Sequence, residues 1–337
     1  MVGCSFNRHM YFVASEHVFR QGFVSKLLKW AFAPIARIKG STDTASAMKI
    51  MRAIRRKQNV GLFAEGDMSW NGQTGRLHPT TARLIKASGG SMVTYRLTGG
   101  YLSSPRWSSG LRRGKMHGRY VNVYSREQLK EMTEDEISAV IDADLFEDAF
   151  EAQHTKAVAF RGKNLAAGLE NALYACPSCH RVCTLHSRGD LFYCDCGLKL
   201  RYNEYGFFEG EDRPFETIME WDAWQDKFLR DYILTVKDEP IYTDSGQSLL
   251  CIEDNHVETI AAQGTLMLYK DRFVLGSFSV PISKISQMSV HGSSTVVFSA
   301  LGNNYEIKSD HIRSGRKYQT MFEILTGSRQ THGSAAM

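Results

Sequence analysis

Five of the seven cysteines fall in one short stretch, "CPSCHRVCTLHSRGDLFYCDCG", which starts at Cys176. Four of the five form two knuckles, Cys176-x2-Cys179 and Cys194-x-Cys196, with fourteen residues between them. Two knuckles joined by about a hairpin's length have the spacing of a zinc ribbon. Four thiolates at about 2.3 Å from a zinc ion close a tetrahedral site with no open position, which makes its chemistry structural and not catalytic. The Cys-Pro-x-Cys and Cys-Gly sequences suit the tight turns of a knuckle. The second knuckle is one residue shorter than usual, so Cys183, His180 or His186 could replace one ligand. The alternative is a loop of reduced, unliganded thiols. A minidomain of about thirty residues buries too little apolar surface to fold alone, so metal would supply its folding energy.

A second group of residues suits a phosphorylated ligand. In "NVGLFAEGDMSWNG", residues 59 to 72, an apolar run from Val60 to Phe63 ends in Glu65-Gly66 and a polar loop. A strand that ends this way delivers a carboxylate and a bare backbone to a rim. The structural alternative is that Glu65 caps the next helix and Gly66 only serves a positive φ. Upstream, "APIARIKG" (33 to 40) carries Arg37 and Lys39. They could chelate a phosphate, arginine by a two-pronged fork and lysine as a point charge. Backbone N–H groups after Gly66 could bind the same anion.

Those residues need elements to hold them. "MYFVAS", from Met10 to Ser15, reads as a buried strand. Phe19, Phe23, Leu27 and Trp30 are spaced for one face of a cationic helix over 17–32, with Lys26 and Lys29 beside them and Pro34 after it. Ser41, Thr42 and Asp43 should start a helix running to about Lys57, with Ala47, Met51 and Ile54 in line. The strand before Glu65 follows, then a helix over 80–88, a Gly89-Gly90 break and the strand "SMVTYRL". Alternating strand and helix predict an α/β layer with its functional rim at strand ends. "RYVNVYS" (119 to 125) closes it, and Thr133 to Glu136 opens an acidic helix with a capping box. "RGKNLAAGLENAL" (161 to 173) is expected to be a helical connector into the cysteines. Beyond 205, short alternating runs with Gly or Asn turns predict antiparallel β, and a last helix is expected over 314–325. The expected domains are 1–155 (α/β), 156–173 (linker), 174–205 (zinc ribbon) and 206–328 (β-rich), with a disordered tail over 329–337.

The chain has 337 residues, 43% of them hydrophobic, enough for two or three cores. No stretch is long and apolar enough for a membrane-spanning helix, and the N-terminus lacks the pattern of a signal peptide. Cysteines packed this closely fit a reducing, cytoplasmic location. Residues 1 to 120 hold twenty Lys/Arg against four acids (Glu16, Asp43, Glu65 and Asp67), and the remainder holds 21 basic and 32 acidic residues. A positive field over the first third should draw phosphates or an anionic membrane surface. Nucleic acid is not the expected partner, because the aromatics there sit at core spacing instead of interleaving with arginines.

"FAEGDMS" (63 to 69) resembles the Phe-Pro-Glu-Gly-Thr-Arg-Ser block of the glycerol-phosphate and lysophosphatidic-acid acyltransferases. "PIARIKG" resembles that family's phosphate-binding block, and "SMVTYRL" sits where its Val-Pro-Val strand belongs. The resemblance spans roughly residues 8 to 125. It implies transfer of an acyl group from an acyl thioester, of coenzyme A or of acyl-carrier protein, to the hydroxyl of a lysophospholipid or glycerol phosphate. It implies an acceptor site of Arg37, Lys39, Phe63, Glu65, Gly66 and Ser69, on a protein peripheral to the inner face of a membrane. Where the family has proline, threonine and arginine, this chain has Ala64, Asp67 and Met68. The family's catalytic His-x4-Asp is not found: His9 and His17 are followed, five residues on, by Ala14 and Gly22. The expectation is an N-terminally incomplete acyltransferase domain that starts inside the helix after that motif. The alternatives are a non-catalytic adaptor that binds lipid or phosphate, and another base, for which His78 is the candidate. The C-terminal β region resembles a pleckstrin-homology-like barrel in architecture only.

Overall fold

The computed structural model describes residues 5–6, 8–15, 34–37, 44–75, 77, 80–252, 257–310 and 313–329. The expected helix over 17–32, Lys39, His78 and the tail beyond 329 lie outside them. The chain divides into two compact units. The first takes residues up to Ser69, Gln73–Tyr101 and Lys115–Ala152; the second takes Trp70–Gly72, Leu102–Gly114 and the chain from Gln153 on.

In the first unit, β1 (Met10–Ser15) is the centre of a parallel sheet, with β2 (Ile35–Arg37) on one side and β3 (Asn59–Gly61) on the other. The register sets Ser15 opposite Arg37 and Phe12 opposite Gly61. From Met10 to Ala14, β1 is half-buried, not buried as expected, and β3 ends at Gly61, two residues before Phe63. Helix α1 (Thr44–Arg55) crosses from β2 to β3 and packs on both. Its buried line is Ser46, Ile50 and Ala53; the expected Ala47, Met51 and Ile54 lie half-buried beside it, while Lys49, Arg52 and Arg55 are exposed.

Helix α2 (Thr81–Ser88) ends at Gly89, whose φ of 64° gives the left-handed cap expected of the Gly-Gly break. Strands β4 (Met92–Thr98) and β5 (His117–Tyr124) form an antiparallel pair. The short α3 (Gly100–Ser103) lies between them in sequence. Helices α4 (Arg126–Glu131) and α5 (Glu134–Leu145) each open with a complete capping box, Ser125 with Gln128 and Thr133 with Glu136. Ala64, Leu77, Ala82, Leu129, Ile137 and Ile141 form the core here. Asp144, near the end of α5, is buried and satisfied: it accepts hydrogen bonds from Thr94 Oγ1 (2.8 Å), Tyr124 OH (2.9 Å) and Asn122 Nδ2 (2.7 Å). These bonds tie α5 to both strands. Helix α6 (Ala149–Thr155) follows.

In the second unit, the expected helical connector is not a helix. Residues 161–173 run irregularly, with one 3-10 turn at Leu169–Asn171, and bury Ala166, Leu169, Ala172 and Leu173 completely. Gly168 breaks the helical pattern: its φ is +89°, and a Cβ there would lie 2.2 Å from the Trp107 carbonyl oxygen. A four-stranded antiparallel sheet follows, β6 (Leu185–Arg188), β7 (Leu191–Cys194), β8 (Lys199–Tyr202) and β9 (Phe208–Glu209), paired in that order.

The region beyond 205 was expected to be β until its last helix, yet it holds an 18-residue helix, α7 (Ile218–Thr235), opened by a Thr217–Glu220 capping box. Seven antiparallel strands come next: β10 (Tyr242–Ile252), β11 (Glu258–Leu268), β12 (Arg272–Leu275), β13 (Phe278–Pro281), β14 (Ile285–His291), β15 (Thr295–Ala300) and β16 (Asn303–Ser309). Two meanders, β10 to β13 and β14 to β16, join where β10 pairs with β16. Helix α8 (Arg316–Leu325) sinks Tyr318, Met321 and Phe322 into the strands' core, which also takes Leu229 and Ile233 of α7. A mainly antiparallel β module closed by a helix is therefore present, as expected. Among the described residues, no helix is long and apolar enough to cross a membrane.

Candidate functional site

The four knuckle cysteines come together. One sulfur from each of Cys176, Cys179, Cys194 and Cys196 lies within 4.8 Å of the others. The Sγ–Sγ separation is 3.8 Å for Cys176 with Cys196 and for Cys179 with Cys194. The edge of a tetrahedron with 2.3 Å metal–sulfur bonds is about 3.75 Å, so the thiols fit a tetrahedral ion. Backbone geometry builds each knuckle: Cys176 N donates to Arg181 O (3.0 Å), His180 N to Cys176 O (2.9 Å) and Gly197 N to Cys194 O (3.0 Å). The N–H groups of Ser178 and Cys179 point at the Cys176 sulfur, and that of Cys196 at Cys194. Burial pushes the Cys176 thiol up to about 12. Against its own burial, hydrogen bonds from Arg181 bring Cys179 down to about 6. A bound dication removes that spread, because coordination deprotonates every thiol.

The substitute ligands lie elsewhere. Cys183 has its sulfur 3.5 Å from Lys317 Nζ, His180 stacks on Trp224 and Phe228, and His186 Nε2 lies 3.0 Å from Asp195 Oδ1. The cluster is the short-spaced quartet itself.

At the parallel sheet, Arg37 is the last residue of β2 and Glu65-Gly66 follows the end of β3. Because the strands are parallel, both lie at one edge, the carboxyl ends, where ligands of open α/β sheets bind. Glu65 does not cap the next helix. Its Oε2 accepts from Gly75 N at 2.8 Å and so closes the loop from Glu65 to Gly75, while Thr80, at the start of α2, makes no side-chain cap. Burial lifts the Glu65 carboxyl above its ordinary range; the Gly75 N–H works against this, and Asp67 adds to it. Gly66 has φ +70°, and a Cβ built on it would meet no atom within 4 Å. Phe63 stacks on Phe12 and is 58% exposed, and Met68 is 54% exposed. Ser69 Oγ donates to Gln73 O at 2.7 Å within the loop.

Trp70 and Asn71, which follow at once, carry no local signal of a functional role in the sequence. Both belong to the second unit. Trp70 has the Arg106 guanidinium carbon 4.2 Å from its ring centroid and that of Arg316 at 5.4 Å. Asn71 Nδ2 donates to Asp222 Oδ2 at 3.0 Å. Asp222 in turn forms a buried two-pronged pair with Arg316, each contact 2.8 Å. No spacing pattern links residues 70, 106, 222 and 316, so nothing short-range could have marked them.

Fold and sites together define a protein with a small parallel α/β layer, a four-thiol centre able to hold a metal ion, and a helix-closed antiparallel β module. No known family model matches the sequence, and no curated protein matches it.

Proposed function

We propose that the α/β unit grips the phosphorylated end of a glycerolipid and serves acyl transfer from an acyl thioester to that lipid's free hydroxyl. The observation that carries this reading is the parallel register of β1, β2 and β3, which sets Arg37 and the Glu65-Gly66 turn at one sheet edge. The block around Glu65 that resembles the acyltransferases supports it. So does the cationic face of α1, where Lys49, Arg52 and Arg55 are exposed. Arg37 takes the phosphate, Glu65 accepts a hydrogen bond from the glycerol, and Gly66 keeps side-chain atoms out of the way. Phe63 and Met68, apolar and exposed on either side of the turn, suit the start of an acyl chain.

We also assign the four thiols to a structural zinc ion. The donor set is all sulfur and its edges match zinc–thiolate geometry. The ion would fix the knuckles and take no part in transfer.

The test is flotation of the full chain with phosphatidylcholine vesicles carrying lysophosphatidate or lysophosphatidylcholine, paired with transfer of labelled acyl groups from acyl-CoA. Retention by lysophosphatidate alone, lowered about tenfold or more by Arg37→Glu, is the expected result. Equal retention by both lipids, or an Arg37→Glu variant that binds like wild type, overturns the site. Specific binding without transfer keeps the headgroup site and makes the chain a lipid-binding adaptor.

A further inference from the structure

We propose that the outer face of the β4–β5 pair is a docking surface for an anionic lipid bilayer. The proposal goes beyond the headgroup site and needs nothing from it, and every residue it uses lies in the first unit.

The two faces of this pair differ in kind. The inner one meets α5 through polar groups. Thr94 and Tyr124 donate to Asp144, and Arg96 donates to Asp144 O (2.8 Å) and Ala143 O (2.9 Å). Side chains alternate along a strand, so Val93, Tyr95 and Leu97 of β4 point the other way. The register sets Val93 opposite Val123 and Tyr95 opposite Tyr120, with a bulge between the two pairs. Gly118 faces Leu97 and leaves room for Tyr95, whose hydroxyl oxygen lies 2.2 Å from where a Cβ on it would sit. Phe6 packs on both tyrosine rings, at 5.8 Å from Tyr95 and 5.3 Å from Tyr120. Ser5 holds the hydroxyls: its Oγ shares a hydrogen bond with Tyr95 OH (2.8 Å), and its carbonyl accepts from Tyr120 OH (2.6 Å).

This face is apolar and open. Val123 is 67% exposed, Tyr120 50% and Val93 44%. A contiguous apolar patch on a surface marks a place of contact. Two features say with what. Tyrosines that border an apolar patch suit the headgroup level of a bilayer, where one end of the ring is dry and the other wet. The margin is cationic: Arg8, Lys115 and Arg126 are exposed beside Phe6 and the two ends of β5. Residues 5–9, 92–98 and 115–126 hold no acid. Such a rim attracts anionic headgroups and repels a second copy of itself.

Flotation of the full chain with phosphatidylcholine vesicles, with and without phosphatidylglycerol, tests the surface. Neither vesicle carries a lysolipid, so the outcome stands whether or not lysophosphatidate binds at Arg37. Retention by the phosphatidylglycerol vesicles is expected, lowered about tenfold or more by Val123→Asp and by Arg8→Glu with Lys115→Glu. Val123→Asp should melt within about 2 °C of wild type, because the position is exposed. Equal retention by both vesicles, or a folded Val123→Asp that floats like wild type, overturns the proposal. So does a lipid-free wild-type dimer that Val123→Asp turns into a monomer, which would make the face a contact between copies. Val123→Trp reads the same contact without a charge: its added emission should be quenched by phosphatidylglycerol with brominated acyl chains, and added emission that stays unquenched overturns the proposal.

Discussion

Burial raises the Glu65 carboxyl above its ordinary range, the Gly75 N–H opposes that, and Asp67 adds to it. The sign of its effect on stability follows. The folded value lies above the unfolded one, so folding favours the protonated form. That contribution is complete below the unfolded value and disappears as pH rises through the folded one. At neutral pH the ionised Glu65 therefore destabilises the loop relative to a neutral group of the same shape. Glu65→Gln keeps a side-chain oxygen for Gly75 N–H and removes the repulsion from Asp67. We expect this variant to melt about 1–3 °C above wild type at pH 7.5 and to converge with it toward pH 4. Coincident melting curves at pH 7.5 would show that the carboxylate is not penalised. Under the proposed function the same variant loses lysophosphatidate affinity, so stability and binding move in opposite directions, as is common where a site is kept strained for use.

Elements whose start is signalled locally were legible in the sequence. Thr133-x-x-Glu136 predicts the capping box that opens α5, and Gly89 predicts the left-handed stop of α2. The four-cysteine centre was legible because a knuckle closes within a few residues. The helix α7 carries the same signature, Thr217-x-x-Glu220. The aromatic and β-rich texture around it nevertheless predicts strand, which outweighs that one local signature. What failed was whatever depends on distant contacts. Residues 161–173 are rich in Ala and Leu and read as a helix, yet the Trp107 carbonyl occupies the space that a Cβ at Gly168 would need. That explanation is open to direct test. Gly168→Ala forces a side chain into a positive-φ position with a backbone oxygen 2.2 Å away, and it should cost more than about 1 kcal/mol, seen as a lower denaturant midpoint at unchanged slope. Gly302→Ala is the control, since its φ is also positive at +80° but nothing lies within 4 Å of an added Cβ. A cost as large at Gly302 as at Gly168 would mean that the carbonyl is not the cause.

At the scale of the whole molecule, the metal centre governs more than its own ribbon. Tyr174 and Ala175, just before the first knuckle, donate backbone N–H groups to Gln225 Oε1 at 2.7 and 3.0 Å, and Ala175 O accepts from Trp221 Nε1 at 2.9 Å. Both partners lie on α7. Phe192, on the ribbon's second strand, packs against Trp221, and Leu229 and Ile233 carry α7 into the core of the seven strands. A knuckle released by loss of its ion thus withdraws support from the helix that joins ribbon to module. Structural zinc in small all-protein sites contributes about 10–16 kcal/mol of apparent binding energy at neutral pH, far more than the ribbon's own apolar burial can supply. One zinc per chain is expected by elemental analysis. Chelation at pH 7.5 should lower the melting temperature of the β-rich unit by about 10 °C or more and raise hydrogen exchange through 174–209 and α7. Acid should release the ion as its thiolates regain protons. Cys176→Ser should reproduce the chelated state, whereas Cys183→Ser, whose sulfur faces Lys317 and not the quartet, should keep the full zinc content. A chain that holds no stoichiometric metal, or whose melting is indifferent to chelator, would mean that the four thiols stand together without an ion, and that α7 is held by its capping box and buried rings alone.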